Sequence, residues 1–160
     1  MRDIKTADLV DDYEDKVRFC DATWQRFGRR ASAYGPISTL KVFEDNALVK
    51  QTLSEPGKGR ILVVDGGGST RTALVGDVLA EIGRASGWAG IIVNGAIRDG
   101  EALDGMDFLV FSRGRSPIKS TKTAAGHRDL RVTFGQADFI PGQWVYMDAD
   151  GVLISEHALF

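Results

Sequence analysis

Cysteine and histidine are scarce in this chain of 160 residues, and their scarcity excludes several kinds of site. A single cysteine, Cys20, rules out an internal disulfide, and we interpret it as a small buried apolar residue. The two histidines, His127 and His157, have no ligand-like spacing, so a zinc site built from His and Cys is not expected. No G-x-S-x-G motif is present, and covalent acyl chemistry therefore has no support.

Long apolar runs and an excess of one charge are also missing. No stretch approaches the length of a membrane span, and the amino-terminal residues form no apolar signal segment. The formal net charge is −2, so no basic field would attract nucleic acid. We therefore predict a cytoplasmic protein with no membrane partner and no direct nucleic-acid partner. The length suits one domain over residues 1–160.

The chain does contain a series of short helix and strand patterns typical of an α/β protein. An apolar run at 61–64 predicts a strand covered on both faces, and a second run at 91–93 predicts its parallel neighbour. Between them, an apolar stripe with helical spacing predicts a helix over about 72–86. Further predicted elements are helices at 6–13, 45–53 and 97–103, strands at 37–43 and 108–111, and antiparallel hairpins from residue 130 onward. This is a short parallel βαβ core flanked by antiparallel strands.

Three consecutive glycines, Gly66 to Gly68, follow the first buried strand. Glycines let backbone N–H groups approach an anion, and a helix beginning just after them would favour negative charge. A plain tight turn explains the same residues equally well. The pattern is neither G-x-G-x-x-G nor a P-loop, so nucleotide binding is a weak inference.

Asp77 and the pair Arg98-Asp99 form the most informative constellation in the sequence. Twenty residues separate Asp77 from Arg98, and a helix, a turn and a strand of that length would return both ends to one sheet edge. Asp99 could ligate a hard cation such as Mg²⁺, and Arg98 offers a planar fork for a carboxylate or an α-keto acid. An Arg-Asp pair alone is more often a surface pair. Its position near Asp77 and the glycines favours a site.

The segment from Ser112 to His127 is polar and basic, with Arg113, Lys119 and Lys122 among its cations. We predict that it is an irregular, solvated loop. The alternative is a contact with an acidic partner or with a neighbouring subunit.

The motifs VVDGGGSTRTALVGD and GWAGIIVNGAIRD, together with FEDNAL and FIPGQWVYMDADGVLIS, resemble the RraA-like family over nearly the whole chain. That family includes 4-hydroxy-4-methyl-2-oxoglutarate aldolases, which also decarboxylate oxaloacetate, and the regulator of RNase E activity A. The resemblance implies a swivelling β/β/α-type α/β domain that assembles as a homotrimer. It also implies a divalent metal in place of a Schiff-base lysine.

Aldolase-competent members of the family carry Asp, twenty residues and then Arg-Asp, and this chain matches at Asp77, Arg98 and Asp99. By that match Asp99 ligates Mg²⁺ or Mn²⁺, Arg98 binds the substrate, and the segment of Gly76, Asp77, Val78 and Leu79 contacts the substrate. Regulator-type members lack a complete version of this constellation.

Three functional hypotheses follow. The first is a metal-dependent lyase acting on a small oxo acid, in which Arg98 stabilises an enolate and Asp77 orients a proton shuttle. The second is an interaction protein that binds RNase E without catalysis. The third is a nucleotide- or S-adenosylmethionine-dependent enzyme using the glycine cluster, which no ribose or adenine pattern supports.

Overall fold

The computed structural model describes all residues from 1 to 160 and shows an α/β fold with one large mixed sheet. Four α-helices are present: α1 (Thr6–Asp12), α2 (Ala47–Leu53), α3 (Asp77–Ala85) and α4 (Gly100–Asp104). The strands are β1 (Val17–Cys20), β2 (Gln25–Phe27), β3 (Ser32–Lys41), β4 (Ile61–Asp65), β5 (Ala73–Val75), β6 (Gly90–Ile97), β7 (Val110–Arg115), β8 (His127–Arg128), β9 (Val132–Phe134), β10 (Ala137–Phe139), β11 (Trp144–Asp148) and β12 (Gly151–Ser155). The predicted α/β class is confirmed.

The long strand β3 joins the antiparallel and parallel parts of the sheet. The strand order is β1-β12-β11-β3-β4-β6-β7-β2, with β5 beside β6 and β8 beside β3. The first half of β3 pairs antiparallel with β11, up to Pro36, and its second half pairs parallel with β4 from Ile37. Proline lacks an N–H donor and therefore suits the point where the strand changes partners. The predicted parallel pairing of the strands at 61–64 and 91–93 is confirmed, as β4 and β6.

The sheet separates two hydrophobic cores. Along β4, Ile61 and Val63 belong to one core, while Leu62 and Val64 belong to the other, and all four are fully buried. Alternation along a strand sends successive side chains to opposite faces, so a continuous apolar run requires cover on both. Cys20 lies in the first core, and burial raises the pKa of its thiol to about 11. The thiol is thus a packing group, as predicted.

Two predicted helices are partly wrong because sheet contacts override the local pattern. The helix predicted over 72–86 begins only at Asp77, since residues 73–75 form β5 and pair with β6. The helix predicted over 97–103 begins at Gly100, since Ile97 ends β6. The strand predicted at 108–111 is shifted, with β7 running to Arg115. The first part of the basic segment is therefore a strand rather than a loop.

The helix at the amino end is confirmed, but its first turn is capped from elsewhere. Thr6, in the first turn, donates both its backbone N–H and its hydroxyl to the Asp148 carboxylate, at 2.7 and 2.6 Å. The carboxyl-terminal hairpins are confirmed as β9–β10 and β11–β12. None of the helices has the length and apolar character needed to cross a bilayer.

Candidate functional site

Asp77, Arg98 and Asp99 come together because two parallel strands end side by side. Strand β5 pairs with β6, with Val75 opposite Ile97. The chain leaves β5 into α3 at Asp77 and leaves β6 toward α4 at Arg98-Asp99. The backbone N–H of Asp77 donates to Asp99 Oδ2 at 3.3 Å, and the N–H of Arg98 donates to the Val75 carbonyl at 3.0 Å. The three side chains line one solvent-open cleft.

Gly76 permits the close approach of these side chains. A Cβ atom at this position would lie 2.8 Å from Asp99 Oδ2 and 3.3 Å from Arg98 Cγ. Its φ of −128° suits any residue, so the requirement for glycine is spatial. Asp99 has a φ of +60° and a ψ of +40°, the left-handed region that Asp and Asn tolerate better than most residues. This conformation turns the Asp99 carboxylate back over Gly76.

The amino end of α3 adds backbone donors to the cleft. The first turn of a helix leaves its N–H groups without intrahelical acceptors. The N–H of Asp77 is taken by Asp99, whereas those of Val78 and Leu79 have no acceptor in the chain. The helix dipole also favours an anion at this end. The segment of Gly76 to Leu79 thus offers a carboxylate two backbone hydrogen bonds.

The charged side chains of the cleft lie together, and none of them forms an ion pair within the chain. The Arg98 guanidinium and the Asp77 carboxylate make no side-chain hydrogen bond or ion pair, and Asp99 uses only Oδ2, in the long contact with Asp77. Charged groups held close together without partners are available to a ligand.

Two lysines of the cleft were missed by the sequence analysis. Lys119 and Lys122 line it, together with Asn46. Sequence patterning predicted a solvated loop here, because the segment has no periodicity. Short tertiary contacts place it instead, with single bridges from Lys119 to Ala73 and from Thr121 to Asp45. No local signal could have identified these lysines.

Asp45 anchors that segment. Its buried carboxylate accepts hydrogen bonds from the Thr121 hydroxyl at 2.8 Å, from the backbone and hydroxyl of Thr123 at 2.6 and 2.7 Å, and from the N–H of Ala124 at 3.1 Å and of Ala47 at 3.3 Å. Burial pushes the pKa of Asp45 upward, but these hydrogen bonds outweigh it and hold the pKa well below its usual range. Asp45 is therefore ionised in the folded protein.

The triglycine turn does not belong to this cleft. Gly66 and Gly68 donate their N–H groups to the Asn94 carbonyl, and Gly67 donates to the Asp65 carboxylate, each at 3.0 Å. The turn leads into strand β5 and not into a helix, so no helix dipole acts there. An anion cradle needs free N–H groups, and this turn has none left. The tight-turn interpretation is correct, and the anion-cradle interpretation is wrong.

The oxygen ligands of the cleft suit a hard cation bound partly through water. No group of three or more His, Cys, Asp or Glu side chains forms in the structure, so a metal cage built wholly from protein side chains is not what the cleft offers. Mg²⁺ commonly uses one or two carboxylates and fills its other positions with water and substrate. Asp99 Oδ1 has no hydrogen-bond donor within the chain and fits that mode of binding.

Comparison with known proteins identifies the family. A family model for RraA-like proteins, described as aldolase/RraA, matches residues 6–154. The chain belongs to the RraA-like family. The match includes every residue that lines the cleft, from Asn46 to Lys122, and nearly all of the carboxyl-terminal hairpins.

Solved structures of similar proteins share this RraA-like fold. An RNA-processing inhibitor RraA from Thermus thermophilis is 38% identical, with a TM-score of 0.94 over 99% of this chain and 96% of that one. A Geobacillus kaustophilus protein named S-adenosylmethionine:2-dimethylmenaquinone methyltransferase is 44% identical, with a TM-score of 0.95 over 98% of this chain and 97% of that one. Streptomyces coelicolor RraAS2, an unusual member of the RNase ES inhibitor RraA protein family, is 26% identical, with a TM-score of 0.75 over 96% and 80%.

Replacing Asp45 by Asn should destabilise the fold and release residues 119–124, which we call the lysine segment. Both carboxylate oxygens accept N–H or O–H donors, so the NH₂ group of an asparagine would face donors in either orientation. We expect the free energy of unfolding in urea to fall by about 2–3 kcal/mol at pH 7. Asp11→Asn, on the exposed face of α1, is the matched control and should change it little.

The loss of unfolding free energy caused by Asp45→Asn should depend on pH in the acid range. A carboxylate whose pKa is lowered by folding stabilises the protein fully above its unfolded pKa, near 4. That stabilisation is lost as the pH falls from about 4 toward the lower pKa that Asp45 has in the folded protein. The difference in unfolding free energy between the wild type and Asp45→Asn should therefore be constant from pH 7 to pH 5 and shrink below pH 4. A constant difference down to pH 2 would contradict the role of the Asp45 charge.

Proposed function

We propose that this RraA-like protein is a divalent-metal-dependent carbon–carbon lyase. Its reactions would be retro-aldol cleavage of 4-hydroxy-4-methyl-2-oxoglutarate to pyruvate and decarboxylation of oxaloacetate. The main support is that the Arg98 guanidinium, Asp99 Oδ1 and the free N–H groups of α3 line one cleft and have no hydrogen-bond partners in the chain. This set of groups is complementary to a 2-oxo acid, which carries a carboxylate next to a keto oxygen.

In both substrates the keto group is at C2, and the bond that breaks is the one between C3 and C4. Both reactions therefore leave the enolate of pyruvate. In the retro-aldol reaction the C4 hydroxyl loses its proton, the C3–C4 bond breaks, and its electron pair enters the enolate, which takes a proton at C3. In the decarboxylation the C3–C4 bond breaks, carbon dioxide leaves, and C3 takes a proton. One site that stabilises the enolate can therefore serve both reactions.

Each residue of the cleft has a defined task in this proposal. Arg98 binds the carboxylate next to the keto group and stabilises the negative charge that develops on the enolate. The N–H groups of Val78 and Leu79 hold the same carboxylate at the positive end of α3. The Asp77 carboxylate, which makes no hydrogen bond or ion pair in the chain, orients the water that carries protons to and from the substrate.

Asp99 would hold the divalent cation, Mg²⁺ or Mn²⁺. When bound, such a cation polarises the substrate keto group as a Lewis acid. The hydrogen bond from the Asp77 N–H to Asp99 Oδ2 fixes the orientation of the carboxylate, and Gly76 leaves the space it needs.

We also propose that copies of the chain cover the open side of the cleft in a homotrimer, as the family resemblance implies. The cleft of one chain holds only about 70 Å³, which is small for a ligand site. Val78 at its rim is 62% exposed, and Ile118 nearby is 57% exposed. Sedimentation equilibrium should give three times the 17.4 kDa of one chain, and a monomer mass would contradict the assembly.

The proposal is tested by measuring pyruvate release from oxaloacetate and from 4-hydroxy-4-methyl-2-oxoglutarate. Purified protein with Mg²⁺ or Mn²⁺ should release pyruvate well above the rate of the metal ion alone. Excess chelator should abolish the release, and added metal should restore it. Release no faster than metal-ion catalysis, with both cations and both substrates, would overturn the proposal.

A second candidate function is inhibition of a ribonuclease by protein–protein binding. It is favoured by the 38% identity to the Thermus RNA-processing inhibitor over nearly the full length of both chains. This role needs no metal and no cleft chemistry. A pull-down with RNase E tests it, and binding by Asp99→Asn equal to that of the wild type would separate it from catalysis.

Methyl transfer is not proposed, although a 44% identical protein carries a methyltransferase name. The glycine cluster was the feature that could have bound the nucleoside end of S-adenosylmethionine. Its N–H groups are all occupied within the chain.

A further inference from the structure

Lys119 and Lys122 make the net charge of the cleft positive even before a metal ion is bound. Its charged lining consists of two carboxylates, Asp77 and Asp99, and three cations, Arg98 and the two lysines. Lys119 makes no hydrogen bond or ion pair within the chain, and Lys122 donates only to the Asn46 side-chain carbonyl at 3.3 Å. Neither lysine neutralises an acidic side chain of the protein.

The backbone that carries the lysines is fixed from both sides. Before Lys119, the Ile118 carbonyl accepts the N–H of Ala73 at 2.7 Å. After it, the Ser120 hydroxyl donates to the Ala73 carbonyl at 2.8 Å, and Thr121 bonds to the Asp45 carboxylate. The segment has no helix or strand of its own, yet these bonds hold it against the edge of β5. The backbone of both lysines is therefore held beside the cleft, and their side chains are exposed.

Asn46 links Lys122 to the same framework. Its side-chain amide donates to the Leu74 carbonyl of β5 at 3.3 Å, which turns its carbonyl oxygen toward the Lys122 ammonium. An ammonium with one neutral acceptor still has donors to offer a ligand. Lys122 thus has a preferred position but retains unused hydrogen-bonding capacity.

We propose that Lys119 and Lys122 form a second anion subsite, which binds the distal carboxylate of a 2-oxo dicarboxylate. The inference rests on the proposed function, in which Arg98 and the amino end of α3 take the first carboxylate. It makes the two lysines specificity determinants. The site would then prefer dicarboxylates over 2-oxo acids of the same chain length that end in a methyl group.

The two proposed reactions should respond differently to loss of this subsite. In decarboxylation the distal carboxylate leaves as neutral carbon dioxide, so the lysines stabilise the ground state more than the transition state. In retro-aldol cleavage the distal carboxylate keeps its charge throughout. Removing the lysines should therefore raise KM for oxaloacetate without lowering kcat. For the aldol substrate kcat/KM should fall, with no rise in kcat.

A binding experiment tests the subsite without relying on turnover. The ligands are 2-oxoglutarate and 2-oxopentanoate, which have the same number of carbons and differ in the distal carboxylate. Neither has the C4 hydroxyl needed for retro-aldol cleavage. Their affinities are measured by calorimetry in the presence of Mg²⁺ for the wild type, Lys119→Met, Lys122→Met and the double variant. Lys119→Arg, which keeps the charge, and Lys16→Met, on an exposed residue far from the cleft, are the controls.

We expect the wild type to prefer 2-oxoglutarate and the double variant to lose at least about tenfold in affinity for it. Affinity for 2-oxopentanoate should stay within about twofold, and Lys119→Arg should retain most of the preference. Equal losses for both ligands, no loss for either, or no binding of either ligand by the wild type would overturn the subsite. A retained preference in a protein that releases no pyruvate would overturn the lyase and leave the subsite standing.

Discussion

Asp99→Asn should lower the rate of pyruvate release from oxaloacetate by about 100-fold or more. The substitution removes the negative charge that would hold the cation and keeps the size of the side chain. Asparagine is the better choice here because Asp99 has a φ of +60°, a region that Asn tolerates and that costs alanine about 1 kcal/mol. A loss of activity by Asp99→Asn can therefore be assigned to the carboxylate and not to a rearranged backbone.

Glu101→Gln is the matched control for this variant. Glu101 lies two residues further on, in the first turn of α4, where it is exposed and makes no hydrogen bond or ion pair. The activity and melting temperature of the Glu101→Gln variant should equal those of the wild type. Asp99→Asn should also melt like the wild type while showing weaker binding of Mn²⁺ by calorimetry. Unchanged Mn²⁺ affinity and near-normal turnover in Asp99→Asn would exclude Asp99 as the metal ligand.

Elements whose pattern agrees with their final contacts could be predicted from the sequence. Four consecutive apolar residues at 61–64 indicated cover on both faces, and β4 does contribute alternately to the two cores. The hairpins after residue 130 could also be predicted, because short alternating runs separated by Pro-Gly and Asp-Gly turns form hairpins locally. The approach of Asp77 to Asp99 was predicted, but the pairing of β5 with β6 that produces it was not.

The helix prediction over 72–86 was wrong at residues 73–75. Leu74 and Val75 match the helical spacing of the apolar stripe in α3, yet they form a strand because β6 offers them a parallel partner. No local signal shows where such a pairing stops, although Gly76 is the residue that breaks the helix pattern. The lysine segment was missed for the same reason, since a single buried carboxylate, Asp45, places it. The family resemblance supplied the site residues but neither of these contacts.

Gly76→Ala should reduce pyruvate release by about 10- to 100-fold while leaving the fold intact. The added Cβ would lie 2.8 Å from Asp99 Oδ2, closer than real contacts allow, and 3.3 Å from Arg98 Cγ. Both neighbours are flexible side chains at the surface, so they would move and the backbone would stay. The displaced groups are those proposed to hold the cation and the substrate carboxylate. The effect should therefore fall on catalysis and not on folding.

Gly105→Ala separates this effect from the general cost of placing alanine at a helix end. Gly105 caps α4 with a φ of −81°, and a Cβ there would meet only the Ala102 carbonyl, at an ordinary 3.6 Å. Both variants should unfold within about 1 kcal/mol of the wild type, but only Gly76→Ala should lose Mn²⁺ affinity and turnover. If Gly76→Ala keeps full activity, Asp99 and Arg98 tolerate displacement. The close packing over Gly76 would then have no part in the chemistry of the cleft.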